Sequence, residues 1–210
     1  MVNKLTGRSF GILGDSYSTF QGWIPEGHSC YFPNPENVAD VLQVEQTWWH
    51  LMMQRNGMRL LTNDSYSGAT VCTHVRDAHT IDAAYTERAK YSFSGEVQLE
   101  YIFVFGGTND SFLDRILGQV QYSDWTEKDL AQTLPAFSFV LDHICKHNPD
   151  AVVVTVINCD LKPELQAGMA EAAEHDGSVV VNLTDINKQN GHPTALGMRQ
   201  IADQIEAVLQ

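Results

Sequence analysis

The chain has 210 residues, with 13 Lys and Arg against 26 Asp and Glu and a formal charge of −13. Excess carboxylate repels phosphate backbones, which argues against a nucleic-acid-binding surface. With 43% hydrophobic and 19% charged residues and no biased tract, the composition is that of a single globular domain, 1–210, with a substantial core; a disordered or collagen-like chain is excluded.

The first apolar segment, Ser9–Leu13, predicts a buried strand and is too short for a signal-peptide core. No apolar run approaches the roughly 18 residues a membrane span needs. A complete chain of this kind is expected in the cytoplasm, and one trimmed of a leader in the periplasm or outside the cell. Residues 17–43, rich in Pro, Gly and aromatics, read as an inserted functional loop. Its Phe20, Trp23, Tyr31 and Phe32, interleaved with Pro25, Pro33 and Pro35, either wall a pocket or form a satellite core. Val44, Trp48, Leu51 and Met52 fall at i, i+4, i+7 and i+8 and predict a helix stopped by Asn56-Gly57, with Trp49 off the stripe and toward the loop.

A second strand, Met58–Leu61, is followed by a polar insertion over 71–95 with a helix near Ala78–Lys90. A third strand covers Glu100–Phe105. A helix then runs over Thr126–His147, with Leu130, Leu134, Phe137 and Leu141 on one side and a kink at Pro135. The fourth strand is Ala151–Ile157, and a helix opens at Pro163 and ends before Gly177. The fifth strand, Ser178–Leu183, precedes a last helix from Thr194 with Ile201, Ile205 and Val208 on its inner stripe. Near-continuous apolar strands alternating with helices predict a three-layer α/β/α sandwich with a five-stranded parallel sheet.

Cys30, Cys72, Cys145 and Cys159 have no paired spacing and read as reduced thiols. His143 and His147 stand i, i+4 on a helix, but no Glu follows His143 and no third ligand is evident; His74 and His79, five apart, carry less. No metal is expected.

The chemistry is set by position. Gly14-Asp15-Ser16 follows the first strand, Asn63-Asp64-Ser65-Tyr66-Ser67-Gly68 the second, and Gly106-Gly107-Thr108-Asn109-Asp110 the third. All three should meet beyond the carboxyl ends of the sheet, where open α/β folds bind ligands. His192 arrives on the loop after the fifth strand. Alone, Ser16 would be a helix cap, Gly68 a turn glycine and Asn109 a turn former. Together they offer a nucleophile, Ser16, a base, His192, and three oxyanion donors: the N–H groups of Ser16 and Gly68 and the Asn109 amide. Such chemistry requires no metal or organic cofactor.

Those four blocks, Gly14-Asp15-Ser16, Gly68, Gly107-Thr108-Asn109-Asp110 and His192-Pro193, occur in order across nearly the whole chain and resemble the SGNH (GDSL-type) hydrolase superfamily. The resemblance implies a flavodoxin-like sheet of order 2-1-3-4-5 and esterase, lipase or acetylhydrolase chemistry on small-molecule or carbohydrate-linked esters. The family places Asp three residues before the catalytic His, where this chain has Gln189. Asp185 is then the candidate third member of the triad if the loop folds back; a backbone carbonyl orienting a Ser-His dyad is the alternative. Acetylated carbohydrate is the substrate class to test first. Gln189 also motivates a non-catalytic carbohydrate-binding or interaction protein on the same scaffold, and an acyltransferase would use an alcohol in place of water.

Overall fold

Strand β1 (Ser9–Gly14) is buried along its whole length, as helices on both faces of a sheet require. A computed structural model, which describes residues 4–34, 40–73 and 82–210, pairs β1 in parallel with β2 (Arg59–Ser65) on one side and β3 (Tyr101–Gly106) on the other. With β4 (Val152–Ile157) and β5 (Val179–Asn182) the order is β2-β1-β3-β4-β5. The order reverses between β1 and β3, so the connections after these two strands diverge and open a crevice at their carboxyl ends.

Period-two alternation resolves the apolar runs into two faces. Phe10, Ile12, Phe103, Phe105, Val154 and Val156 pack with Trp48 and Met52 of α1 (Trp48–Asn56) and with Met198, Ile201 and Ile205 of α7 (Ala195–Leu209). Leu13, Ile102, Val104 and Val153 face the other way. They meet Tyr85 of α2 (Tyr85–Ser92), Phe137 and Leu141 of α5 (Thr133–His147), and Leu165 and Met169 of α6 (Pro163–His175). Two further short helices are α3 (Thr108–Phe112), directly after β3, and α4 (Glu127–Leu130), which packs on α5. Among the described residues no helix is long and apolar enough to cross a membrane.

The structure departs from the predicted elements in several places. β2 continues through Thr62, Asn63, Asp64 and Ser65: the last three are buried with hydrogen-bond partners, and no apolar signal marks them. The long helix predicted over 126–147 is two helices. Thr126 and Asp129 cap each other to start α4, and Pro135 sits in the first turn of α5, where a missing N–H leaves no carbonyl unpaired, so it begins the helix and does not kink it. The helix near 78–90 is α2, starting at Tyr85; residues 74–81, with His74 and His79, lie outside the described residues, as does Pro35. In the last turn of α7, Leu209 is buried and Val208 is half exposed.

A two-stranded hairpin follows β5 and was not anticipated: β6 (Lys188–Gln189) pairs antiparallel with β7 (His192–Pro193). Its turn residues Asn190 and Gly191 have φ 49 and 76, the left-handed pair that a tight hairpin requires and that Asn-Gly supplies at low steric cost.

Candidate active site

Beyond Gly14 the chain turns sharply into a 3-10 turn, Ser16–Ser18, whose first N–H groups need a cap. Asp15 supplies it, its Oδ1 accepting the Tyr17 N–H at 3.0 Å. Burial pushes the Asp15 carboxyl up to about 6, although the Tyr17 N–H, the Thr108 hydroxyl and the Arg88 charge pull it down. Gly14 is needed for close approach: a Cβ there would stand 2.5 Å from Ser65 Oγ and 2.8 Å from Ser18 Cβ. The turn is gripped from α1, where the indole N–H of Trp48 donates to Ser18 Oγ at 3.2 Å and that of Trp49 to the Ser18 carbonyl at 3.0 Å. Trp49 also packs on Trp23 of the inserted loop, ring centroids 5.4 Å apart.

The hairpin brings His192 to this turn. His192 Nε2 is 2.9 Å from Ser16 Oγ, and Nδ1 is 3.2 Å from the Asn190 carbonyl oxygen. A carbonyl only accepts, so Nδ1 carries the proton and Nε2 presents its lone pair to the serine hydroxyl. Burial lowers the His192 pKa from its ordinary value, helped by the charge of Lys188 and opposed by the Asn190 bond. Burial thus favours the neutral ring, the state a base needs. The tip of the hairpin is tied down by the Tyr17 hydroxyl, which donates to the Gly191 carbonyl at 2.6 Å.

Asp185 is not brought to the imidazole. It stands exposed at φ 52 and faces a separate surface depression with Cys159, Gln166 and Thr184. The intervening chain is fixed against α7: Ile186 is buried, and Asn187 N–H donates to Gln200 Oε1 at 2.7 Å. Of the two alternatives for orienting His192, the backbone carbonyl is the one in contact.

The second and third blocks are locked together. Asn109 Nδ2 donates to the Ala69 carbonyl at 2.8 Å, next to Gly68, which takes φ 86. An amide nitrogen has two hydrogens, so one remains for a ligand. Buried Asp110 accepts from Val71 N–H at 2.8 Å, from Cys72 N–H at 3.3 Å and from Thr133 Oγ1 at 3.2 Å. Ser16, Asn109 and His192 share the wall of one cavity of about 470 Å³ with Thr108, Phe112 and Asp160. A wider depression of about 630 Å³ lies at the amino ends of the strands, around Lys4, Arg8 and Glu100, away from Ser16 and His192.

Two supports were given no catalytic role from the sequence. Arg88, 3% exposed, donates to the carbonyls of Ala83 and Gly14 at 2.7 and 3.0 Å and pairs with buried Asp64 at 3.1 Å. It thus clamps the carboxyl ends of β1 and β2 beneath Ser16, yet the sequence showed it only as a member of the helix near Ala78–Lys90 in a polar insertion. The other is Tyr31, whose ring stacks on His192 with centroids 3.5 Å apart and planes 7° from parallel. Phe20 and Phe32 are buried in the main core with Phe10 and Trp48, Tyr31 packs against it and Trp23 is half exposed, so the loop aromatics extend that core and form no satellite of it. His143 and His147 stack on each other at 4.0 Å.

A family model for GDSL-like lipases and acylhydrolases matches residues 8–209. Among solved structures, a Bacteroides ovatus protein named as a GDSL-like lipase is 35% identical, with a TM-score of 0.88 over 96% of this chain and 97% of that one. A Bacteroides uniformis protein named likewise is 36% identical, with a TM-score of 0.87 over 95% and 93%. Est24, a carbohydrate acetylesterase from Sinorhizobium meliloti, shares the fold at 16% identity, with a TM-score of 0.65 over 95% and 97%. A search of curated proteins returns no match.

Proposed function

The chain belongs to the GDSL-like lipase/acylhydrolase family of serine hydrolases, and from that premise we propose that it hydrolyses a small or carbohydrate-linked ester through an acyl-enzyme on Ser16. The observation that carries this reading is the 2.9 Å contact between Ser16 Oγ and His192 Nε2, with Nδ1 held by a carbonyl. In the first step Ser16 Oγ bonds to the ester carbonyl carbon and its proton moves to His192 Nε2. The carbonyl π pair becomes an oxyanion facing the Ser16 and Gly68 N–H groups and Asn109 Nδ2. The oxyanion then collapses, the alcohol leaves with the proton from Nε2, and water repeats the cycle on the acyl-enzyme.

A cavity of about 470 Å³ suits a small ligand, and the chain's charge of −13 favours a neutral ester over an anionic surface. The acetylated carbohydrate acted on by Est24 is therefore the first class to try. Release of acetate from acetylated sugars, and of nitrophenol from short p-nitrophenyl esters, tests the proposal. Wild type should turn over at least one of them, and Ser16→Ala should abolish turnover without moving the melting temperature. Binding of a sugar ester without acetate release would instead indicate a non-catalytic binding protein, and undiminished turnover by Ser16→Ala would overturn the assignment.

A further inference from the structure

Where a triad would place a carboxylate, this site has a carbonyl on one edge of the imidazole and a phenol ring on its face. The stack is built from the nucleophile's own turn. Thr19 Oγ1 donates to the Ser16 carbonyl at 3.0 Å and accepts the Tyr31 N–H at 3.0 Å, while Gln21 N–H donates to the Phe32 carbonyl at 2.8 Å. The loop is thus fastened on both sides of Tyr31. Phe32 meets the same imidazole edge-on at 6.3 Å, and Tyr17 is tilted against it at 5.5 Å.

The parallel geometry is informative. Two neutral rings prefer offset or edge-on contact, because their electron-rich faces repel when laid flat together. A cation lying over such a face is attracted to it. The contact at 3.5 Å therefore strengthens when the imidazole takes the Ser16 proton, and an interaction that strengthens along the reaction coordinate accelerates the chemical step.

We propose that Tyr31 is a positioning residue that fixes the plane of His192 and stabilises the imidazolium formed during acylation, in place of a third-member carboxylate. The inference rests on the Ser16-His192 reading above. The charged groups facing His192 are Lys188 on β6, which disfavours the imidazolium, and Asp160 after β4, which is paired with Lys188. The phenol of Tyr17 faces it from the first turn. None of these is changed by substitution at position 31.

The test compares Tyr31→Leu, which retains apolar cover without a π face, with Tyr31→Phe and Tyr31→Trp. Expected for Leu is a kcat lower by roughly 10- to 30-fold with little change in KM. The acid limb of kcat/KM and the His192 midpoint in an NMR titration should both move to lower pH, while Phe and Trp keep wild-type values. A Leu variant with wild-type kcat and an unmoved midpoint would overturn the proposal, as would a Phe variant impaired as much as Leu. The NMR midpoint answers independently of turnover: if wild type cleaves no ester yet the midpoint still falls in Leu alone, the stack stands and the esterase reading fails.

Discussion

Ser16 and His192 meet because each sits on a turn whose conformation is locally enforced, the one capped by Asp15 and the other made by Asn190-Gly191. The third member is where residue-scale reading and structure part. Asp185 was the nearest carboxylate in sequence, but sequence distance carries no direction, and the anchoring of Ile186 and Asn187 leaves it facing another depression. Asp185→Asn should accordingly leave kcat/KM within about twofold of wild type, whereas loss of a true orienting carboxylate lowers kcat by about 10⁴-fold. Steady-state kinetics on any ester the enzyme accepts separates the two outcomes.

Elements explain why the rest of the site was only partly legible. The glycines and Asn109 announce themselves because a positive φ or a close approach admits few residue types, as at Gly14 and Gly107. Arg88 gives no such signal, since its importance comes from tertiary burial against two strand ends. The same burial hid the polar half of β2, which contains the Asp64 that pairs with Arg88. Asn190-Gly191 between short β runs was a readable hairpin signal, obscured by strands of two residues each. A buried pair broken on one side leaves an uncompensated charge, so Arg88→Ala should destabilise the fold by about 3–5 kcal/mol in urea unfolding. A loss below about 1 kcal/mol, the range of exposed ion pairs, would mean that the clamp is solvated in solution.

At the scale of the molecule, the strands were recoverable because parallel strands buried on both faces leave a distinctive apolar run, whereas their order came from the family resemblance carried by the four motif blocks at the strand ends. The topology does the remaining work: the reversal between β1 and β3 separates their connections, and the cavity with Ser16, Asn109 and His192 forms there. What composition and strand order do not encode is the stack of Tyr31 on His192, which depends on the fastening of Tyr31 and Phe32 to Thr19 and Gln21.

Covalent labelling by a fluorophosphonate, located by peptide mass spectrometry in wild type and His192→Ala, addresses the convergence of hydroxyl and imidazole most directly. The expected result is a single adduct on Ser16 that forms on the order of 10³-fold or more slowly once the imidazole is removed. An adduct on any other residue, or equal labelling rates in the two proteins, would contradict it.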